Sequence, residues 1–402
     1  MIAPKKVGVT GATGQVGSRL LRHLQAAGIP AVAVVRNALG AALCSAAAPD
    51  CEIRIGSLTP PAGEPHVLDD CDVIVNCALE SSGGIPRQAY TRNRALVDGL
   101  LKARSLKWLV HFSTVAVYGE LIAAARDPER ERQHPHPDSE YGRSKLYVEQ
   151  YAMAQARRRG VECTIIRLGH VYGAGIARSR EIIEFARDPK FRLAFDGRLP
   201  SNAIHVDAAG AAVAGLLRRG PSGGVVSLAE SHHSWRDIFD WHTAALGLPP
   251  VAPMPEAESS AQRRGWTDRS LVLDAVRWLR GLPVKSLVRS PSTFDLALRV
   301  LVRTPASVTK LASDINRRTG ARAQIARADS SGAIAIPSLY LSDGMPGPFL
   351  DLPEPPARGL GSAGERAGEL QHWSDLWTTP RWRAAVFTAP RDSGGRDLQT
   401  WS

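Results

Sequence analysis

A glycine string just inside the start of the chain constrains the fold more than any other feature. Thr10-Gly11-Ala12-Thr13-Gly14-Gln15-Val16-Gly17 follows the short run Lys6-Val7-Gly8-Val9. It leads into Val16, Leu20, Leu21 and Leu24, whose spacing places them on one helix face before Gly28 stops it. The pattern predicts strand, turn and helix. At such a turn a dinucleotide pyrophosphate sits on the free N–H groups and positive dipole end of the helix, provided side chains do not hold the backbone away. Gly11, Gly14 and Gly17 are expected to clear that space, with Thr13, Gln15 and Val16 as further cofactor contacts. The spacing, G-x-x-G-x-x-G, is one residue wider than the common dinucleotide fingerprint.

After Gly28, Ala31 to Val35 reads as a second buried strand ending in Arg36, where NAD-specific sites usually carry an acidic residue for the ribose 2′-hydroxyl. Arginine's planar fork instead suits a 2′-phosphate, so the position points to NADP(H), with NAD as the alternative and a solvated strand-end arginine as the bland reading.

Far downstream stands Tyr141-Gly142-Arg143-Ser144-Lys145. Tyr141 and Lys145 share a face if Tyr141 opens a helix, and Leu146, Val148 and Tyr151 continue it. A phenol with a pKa of about 10 is a poor base near neutrality, but an adjacent ammonium and a positive nicotinamide ring both stabilise phenolate. Such a tyrosine passes a proton to or from a substrate hydroxyl while hydride moves to the cofactor. A chance Tyr/Lys pair on an exposed helix is the competing reading.

With both strings in view, residues 1–250 resemble the extended short-chain dehydrogenase/reductase family, which includes the NAD-dependent sugar epimerases and dehydratases. Phe112-Ser113-Thr114-Val115-Ala116-Val117-Tyr118-Gly119 is similar to the family's strand-end segment. The resemblance implies that Thr114 hydrogen-bonds the reacting oxygen, completing a Thr114, Tyr141, Lys145 triad, and that Asn93 helps fix the lysine through water. It implies that Asn76-Cys77-Ala78, after Val73-Ile74-Val75, lines the cofactor. Arg167-Leu168-Gly169-His170-Val171-Tyr172-Gly173 and Ile204-His205-Val206-Asp207 resemble two substrate-side signatures in the expected order.

The departures fall mostly on the substrate side. Leu168 and His170 stand where family members often have proline and asparagine. Ser201 stands where many nucleotide-sugar enzymes carry a diphosphate-binding arginine, the nearest arginine being Arg198. Val115-Ala116 replace the Asp-Glu pair of the dehydratases, which argues against a 4,6-dehydratase. Ser57, before Leu58, replaces an aspartate usual after the third strand, weakening one adenine contact without removing the site.

Alternating strand and helix signals to about residue 165 predict an α/β doubly wound parallel sheet, a Rossmann fold. Residues 165–250 supply the last strand and a small interleaved substrate lobe. Pro249-Pro250, Pro253 and Pro255 mark a boundary, so the expected organisation is 1–250 NAD(P)-binding with its lobe, 251–330 basic and helical, and 331–402 a Pro/Gly-rich extension with a Trp-containing tail. Within the second part, Leu271 to Arg322 gathers much of the net +11 charge. That stretch reads as a solvated helix face packed on the enzyme or as a peripheral contact with an anionic membrane. Residues 337–368 read as a linker or loose loop, and the tail with Trp373, Trp377, Trp382 and Trp401 as a segment folding back on the body.

Across 402 residues, 44% hydrophobic and 22% charged, there is enough apolar material for a large core and no disorder signature for the whole chain. No apolar run spans a bilayer, and a first strand beginning by about residue 5 leaves no room for a signal peptide, so a cytoplasmic enzyme is expected. Five cysteines without C-x-x-C spacing suggest neither a disulfide framework nor zinc, and no metal is expected at His134/His136 or His232/His233. The leading expectation is an NAD(P)-dependent oxidoreductase or epimerase acting on a nucleotide sugar or related glycan precursor, with no nucleic acid as partner and a homodimer as its assembly. An NADP-dependent dehydrogenase or reductase of a lipid, steroid-like or flavonoid-like substrate comes next, then a non-catalytic NADP(H)-binding sensor.

Overall fold

The computed structural model describes residues 4–61, 63–79, 86–118, 135, 137, 140–230, 233–260 and 363–378. In chain order these form β1 (Val7–Thr10), α1 (Gln15–Ala26), β2 (Ala31–Val35), α2 (Ala38–Ala47), β3 (Glu52–Ile55) and β4 (Val73–Asn76). There follow α3 (Pro86–Leu100), β5 (Trp108–Thr114), a 3-10 turn (Val115–Tyr118), α4 (Glu140–Arg158), β6 (Glu162–Leu168) and β7 (His170–Tyr172). The rest are α5 (Ala177–Arg187), β8 (Ala203–His205), α6 (Val206–Arg219), β9 (Gly224–Leu228), α7 (Trp235–Ala245) and α8 (Ala363–Thr378).

Seven strands form one parallel sheet in the order β3-β2-β1-β4-β5-β6-β9. The order reverses between β1 and β4, so a crevice opens outside the carboxyl ends of those strands. The central strands are buried on both faces, which is why they read as unbroken Val/Ile runs. On one face Val7, Val9, Val75, Val110 and Phe112 pack against Leu20, Leu21 and Leu24 of α1 and Val213, Leu216 and Leu217 of α6. On the other, Ile74, Leu109 and Ile165 meet Val97 and Leu100 of α3 and Tyr147, Val148 and Ala152 of α4. The predicted fold class and the helix stop at Gly28, with φ of 65°, are observed.

Beyond β6 the chain builds a small lobe. β7 pairs with β8 in parallel, and Phe191, Trp235 and Phe239 fill a separate aromatic core between α5 and α7. The proline-rich segment after α7 packs back on this lobe: the Leu193 N–H donates to the Ala252 carbonyl at 3.0 Å and the Met254 N–H to the Leu193 carbonyl at 2.8 Å.

The basic stretch Leu271 to Arg322, with the membrane contact expected of it, lies outside the described residues, as do His134, His136, His232, Trp382 and Trp401. The tail helix α8 returns to the body. Leu370 is fully buried, and Glu369 receives Arg19 Nη2 at 2.9 Å and Arg22 Nη2 at 3.7 Å. The expected loose loop over 337–368 is therefore corrected at its end, because residues 363–368 already belong to α8. There Glu365, Arg366 and Ala367, good helix formers, outweigh the flanking glycines. Among the described residues no helix is long and apolar enough to cross a membrane.

Candidate functional site

The glycine turn links β1 to α1 beneath the crevice. Gly11 has a φ of 63°, and a Cβ there would lie 2.6 Å from the Ala78 nitrogen. A Cβ on Gly17 would lie 2.2 Å from the Gly11 carbonyl oxygen. These two glycines therefore serve first to close the turn on the chain itself, a correction to the expectation that all three clear space for a phosphate. Gly14 is different. It is the N-cap of α1, and no side chain caps the helix there. With no acidic residue in the first turn, the free N–H groups of Gln15, Val16 and Gly17 leave an end that fits an anion. Thr13, Gly14 and Gln15 are exposed and Val16 is half-buried.

Next to the turn, a buried polar ladder crosses β1, β4 and β5, where Thr10 pairs in register with Asn76 and Asn76 with His111. Thr10 Oγ1 donates to Asn76 Oδ1 at 2.6 Å, and the Ala78 N–H donates to the same oxygen at 3.2 Å. Two donors on one oxygen orient the amide, so Asn76 Nδ2 donates to His111 Nδ1 at 2.9 Å and the His111 proton resides on Nε2. Burial, reinforced by the Lys145 charge, pushes His111 down to about 3, so the ring is neutral. The ladder pins the backbone of Ala78, leaving Cys77 and Ala78 half-buried at the end of β4. Burial pushes the Cys77 thiol up to about 12.

Arg36 stands exposed at the end of β2, immediately before Asn37, which caps α2 by accepting from the Gly40 N–H at 2.9 Å. Beyond β3, Ser57 is exposed and accepts from the Thr59 N–H at 3.1 Å, with Leu58 half-buried beside it.

The second half of the site lies where β5 meets α4. Thr114 ends β5, and its hydroxyl accepts from the Ala116 N–H at 3.3 Å. A Cβ on Gly142 would lie 2.3 Å from the Ala116 carbonyl oxygen, so glycine lets the start of α4 close on the turn after Thr114. That approach puts the Tyr141 phenol in hydrogen bond with Thr114. Tyr141 as a whole is 49% exposed. Burial at the phenol raises its pKa and the Thr114 bond opposes the rise. One turn on, Lys145 is buried and donates from Nζ to the Phe112 carbonyl at 3.0 Å. Burial pushes its ammonium down to about 8, opposed by the charge of Glu149 and by Cys77. Asn93 is buried in α3, which packs along α4. The structure thus brings together Thr114, Tyr141 and Lys145.

Sequence reasoning missed what lies behind them. Glu149, another turn along α4 and fully buried, binds Arg167 of β6 through Oε2 at 2.7 Å and accepts from Ser113 of β5. The signal was available: a glutamate at the next i+4 step after Lys145, and polar His111 and Ser113 alternating along the same face of an otherwise apolar strand.

On the substrate side, Ser201 is fully buried and donates to the His233 carbonyl at 2.8 Å, so it is committed to the frame of the lobe. Arg198 is exposed, 3.8 Å from Glu256. His170 lies beside Trp235, ring centroids 5.3 Å apart, and burial pushes it down to about 3.

This geometry agrees with comparison to known proteins. The sequence model of the NAD dependent epimerase/dehydratase family matches residues 7–189. Over that segment the chain is similar to this family. The chain is similar to 2'-dehydrokanamycin reductase of Streptomyces kanamyceticus, 31% identical over 39% of this chain and 46% of that protein. It is also similar to dTDP-6-deoxy-L-talose 4-dehydrogenase (NAD(P)(+)) of Kitasatospora kifunensis, 30% identical over 43% of this chain and 54% of the relative. The chain spans about half the length of these curated relatives. In fold it matches the crystal structure of UDP-glucose-4-epimerase from Stenotrophomonas maltophila, solved with bound NAD and formylated UDP-arabinopyranose. That match has a TM-score of 0.50 at 20% identity and covers 62% of this chain and 85% of that one.

Proposed function

We propose that the protein is an NAD(P)-dependent oxidoreductase or epimerase acting at a secondary alcohol or ketone, with residues 1–250 as its catalytic unit. The observation that carries this reading is the Thr114–Tyr141 hydrogen bond with Lys145 one turn behind it, at the carboxyl end of β5. When bound, the nicotinamide supplies hydride uptake or return. Tyr141 takes the hydroxyl proton of an alcohol, or gives it to a ketone oxygen, while Thr114 holds that oxygen. Lys145, as ammonium, favours phenolate on Tyr141, and Asn93 supports the lysine. Since the lysine sits at about 8, activity in the free-enzyme pH profile of kcat/KM falls on the alkaline side above that value.

The cofactor lies along Gly11, Thr13, Gly14, Gln15, Val16 and Gly17, with Ser57, Leu58, Cys77 and Ala78 as its wall and Asn76 setting that wall. Arg36 favours NADP(H). Arg36→Asp is expected to reverse the preference toward NAD, because it removes the phosphate's cation and installs an acceptor for the ribose hydroxyl. Fluorescence titration with both reduced cofactors checks it; equal affinities in the parent protein would show that Arg36 serves solvent.

For the substrate, a nucleotide sugar or related glycan precursor is the first reading, supported by the name of one of the relatives, the dTDP-6-deoxy-L-talose 4-dehydrogenase. The commitment of Ser201 to His233 favours a second, a lipid, steroid-like or flavonoid-like alcohol or ketone that needs no diphosphate clamp. The deciding experiment identifies any copurified cofactor and screens sugar nucleotides and uncharged ketones for a change in NAD(P)H absorbance. Tightly retained NAD with sugar-nucleotide turnover indicates an epimerase, and consumption of NADPH by ketones indicates a reductase. Failure to bind either cofactor would refute the reading as a whole.

A further inference from the structure

The most extensively bonded buried charge in the described residues is one the proposed reaction does not use. Glu149 is fully buried, and Arg167 is 7% exposed. Arg167 grips the carboxylate from Nη2 at 2.7 Å and from Nε at 3.2 Å to both oxygens. Its Nη1 donates to the Tyr118 hydroxyl at 2.8 Å, and its guanidinium lies 4.9 Å from the Tyr118 ring centroid. Ser113 closes the other side of the carboxylate.

The placement of these partners is informative. Ser113 immediately precedes Thr114, and Tyr118 ends the 3-10 turn that follows it, so the pair grips β5 and its turn on both sides of Thr114. Tyr141, Lys145 and Glu149 stand at successive i+4 steps of α4, one face of one helix. The ion pair itself joins α4 to β6, and through its bonds to Ser113 and Tyr118 it also ties α4 to the strand end and turn whose position sets the Thr114–Tyr141 hydrogen bond. A buried ion pair is a weak device for stability, since well-packed apolar residues often do as well, but it fixes register when its geometry is complete.

We infer that Glu149, locked by Arg167 and Ser113, is a positioning residue for the proton-transfer group, holding α4 against the end of β5 and holding the Lys145 ammonium in its charged form. The inference rests on the reading of Tyr141 and Lys145 given above. Among the described residues Glu149 from its own helix and Cys77 after β4 act on Lys145, Lys145 in turn acts on neutral His111 of β5, and Arg167 of β6 binds Glu149, while Tyr141 stands one turn before Lys145 on the same helix. Glu149 supplies the negative charge in that set.

The two partners then carry opposite signs. Glu149→Gln removes the charge that favours the ammonium and leaves Arg167 unopposed, so Lys145 loses its proton at lower pH. Arg167→Met leaves the carboxylate unneutralised, so Lys145 keeps its proton to higher pH. Each shift is expected to be about one pH unit, in the range of a close charge in a buried setting. The readout is the 13C NMR titration of the Lys145 Cε in lysine-labelled full-length protein without cofactor, assigned by its loss in a Lys145→Met sample. The alkaline limb of kcat/KM is followed in parallel, with kcat expected to fall more than KM rises. Opposite shifts of the lysine titration support the inference. Shifts of the same sign, or none, in folded variants overturn it, because a merely structural pair weakens both variants without sorting them by charge. Should Glu149→Gln fail to fold, the upward shift in Arg167→Met decides alone. The NMR titration reads Lys145 whether or not a substrate is known, so failure of the catalytic reading and failure of this inference remain distinguishable.

Discussion

Tyr141→Phe is expected to lower turnover by roughly 100- to 10,000-fold, the range for loss of a positioned proton-transfer group, while leaving cofactor affinity within a few-fold of the parent. The phenylalanine ring keeps the packing at the start of α4 and removes only the oxygen that bonds Thr114. The phosphate cradle at α1 belongs to a different part of the crevice and is untouched. Lys145→Ala should differ, losing turnover and also weakening the cofactor, since it takes away a buried ammonium as well as a bond to the Phe112 carbonyl. Steady-state kinetics paired with cofactor titration separate the two variants. Full activity in Tyr141→Phe would sink the proposed chemistry.

Much of this arrangement was legible in the chain. The unbroken runs Ala31 to Val35 and Val73 to Val75 could only be buried parallel strands once helices separated them, and β2 and β4 lie where those runs do. The Tyr141/Lys145 spacing gave the helix face correctly because the 3.6-residue period is local information. What escaped was long-range. That Asn76 turns into a ladder with Thr10 and His111 depends on the register of three strands, which no spacing within one segment reports. The Glu149–Arg167 pair joins α4 to β6 and is invisible until both are packed. The return of the tail was expected from its tryptophans, but its landing on Arg19 and Arg22 of α1 depends on a contact far apart in sequence.

The glycine string shows the same limit, since its pattern predicted the turn but assigned all three glycines one task. The structure separates them, and two substitutions should do so as well. Gly17→Ala would place a Cβ 2.2 Å from the Gly11 carbonyl oxygen and 3.1 Å from the Ala12 Cα, all backbone that has no rotamer to change. Relief requires the turn to move away from α1, at a cost of about 1–3 kcal/mol or more, which lowers Tm by about 2–4 °C for each kcal/mol in a domain of this size. The same movement displaces the N–H groups that would receive the pyrophosphate, so cofactor affinity falls together with stability. Gly14→Ala is a milder steric change, because the nearest atom to its Cβ is the Gly11 oxygen at 3.1 Å and its φ of −73° suits alanine. Its methyl group instead stands at the open N-terminus of α1, so affinity should fall with Tm nearly unchanged. Thermal melts and cofactor titrations on the two variants check the division. A Gly17→Ala protein with the parent's Tm, or a Gly14→Ala protein with the parent's affinity, would show that the turn is looser, or the phosphate farther from it, than the geometry requires.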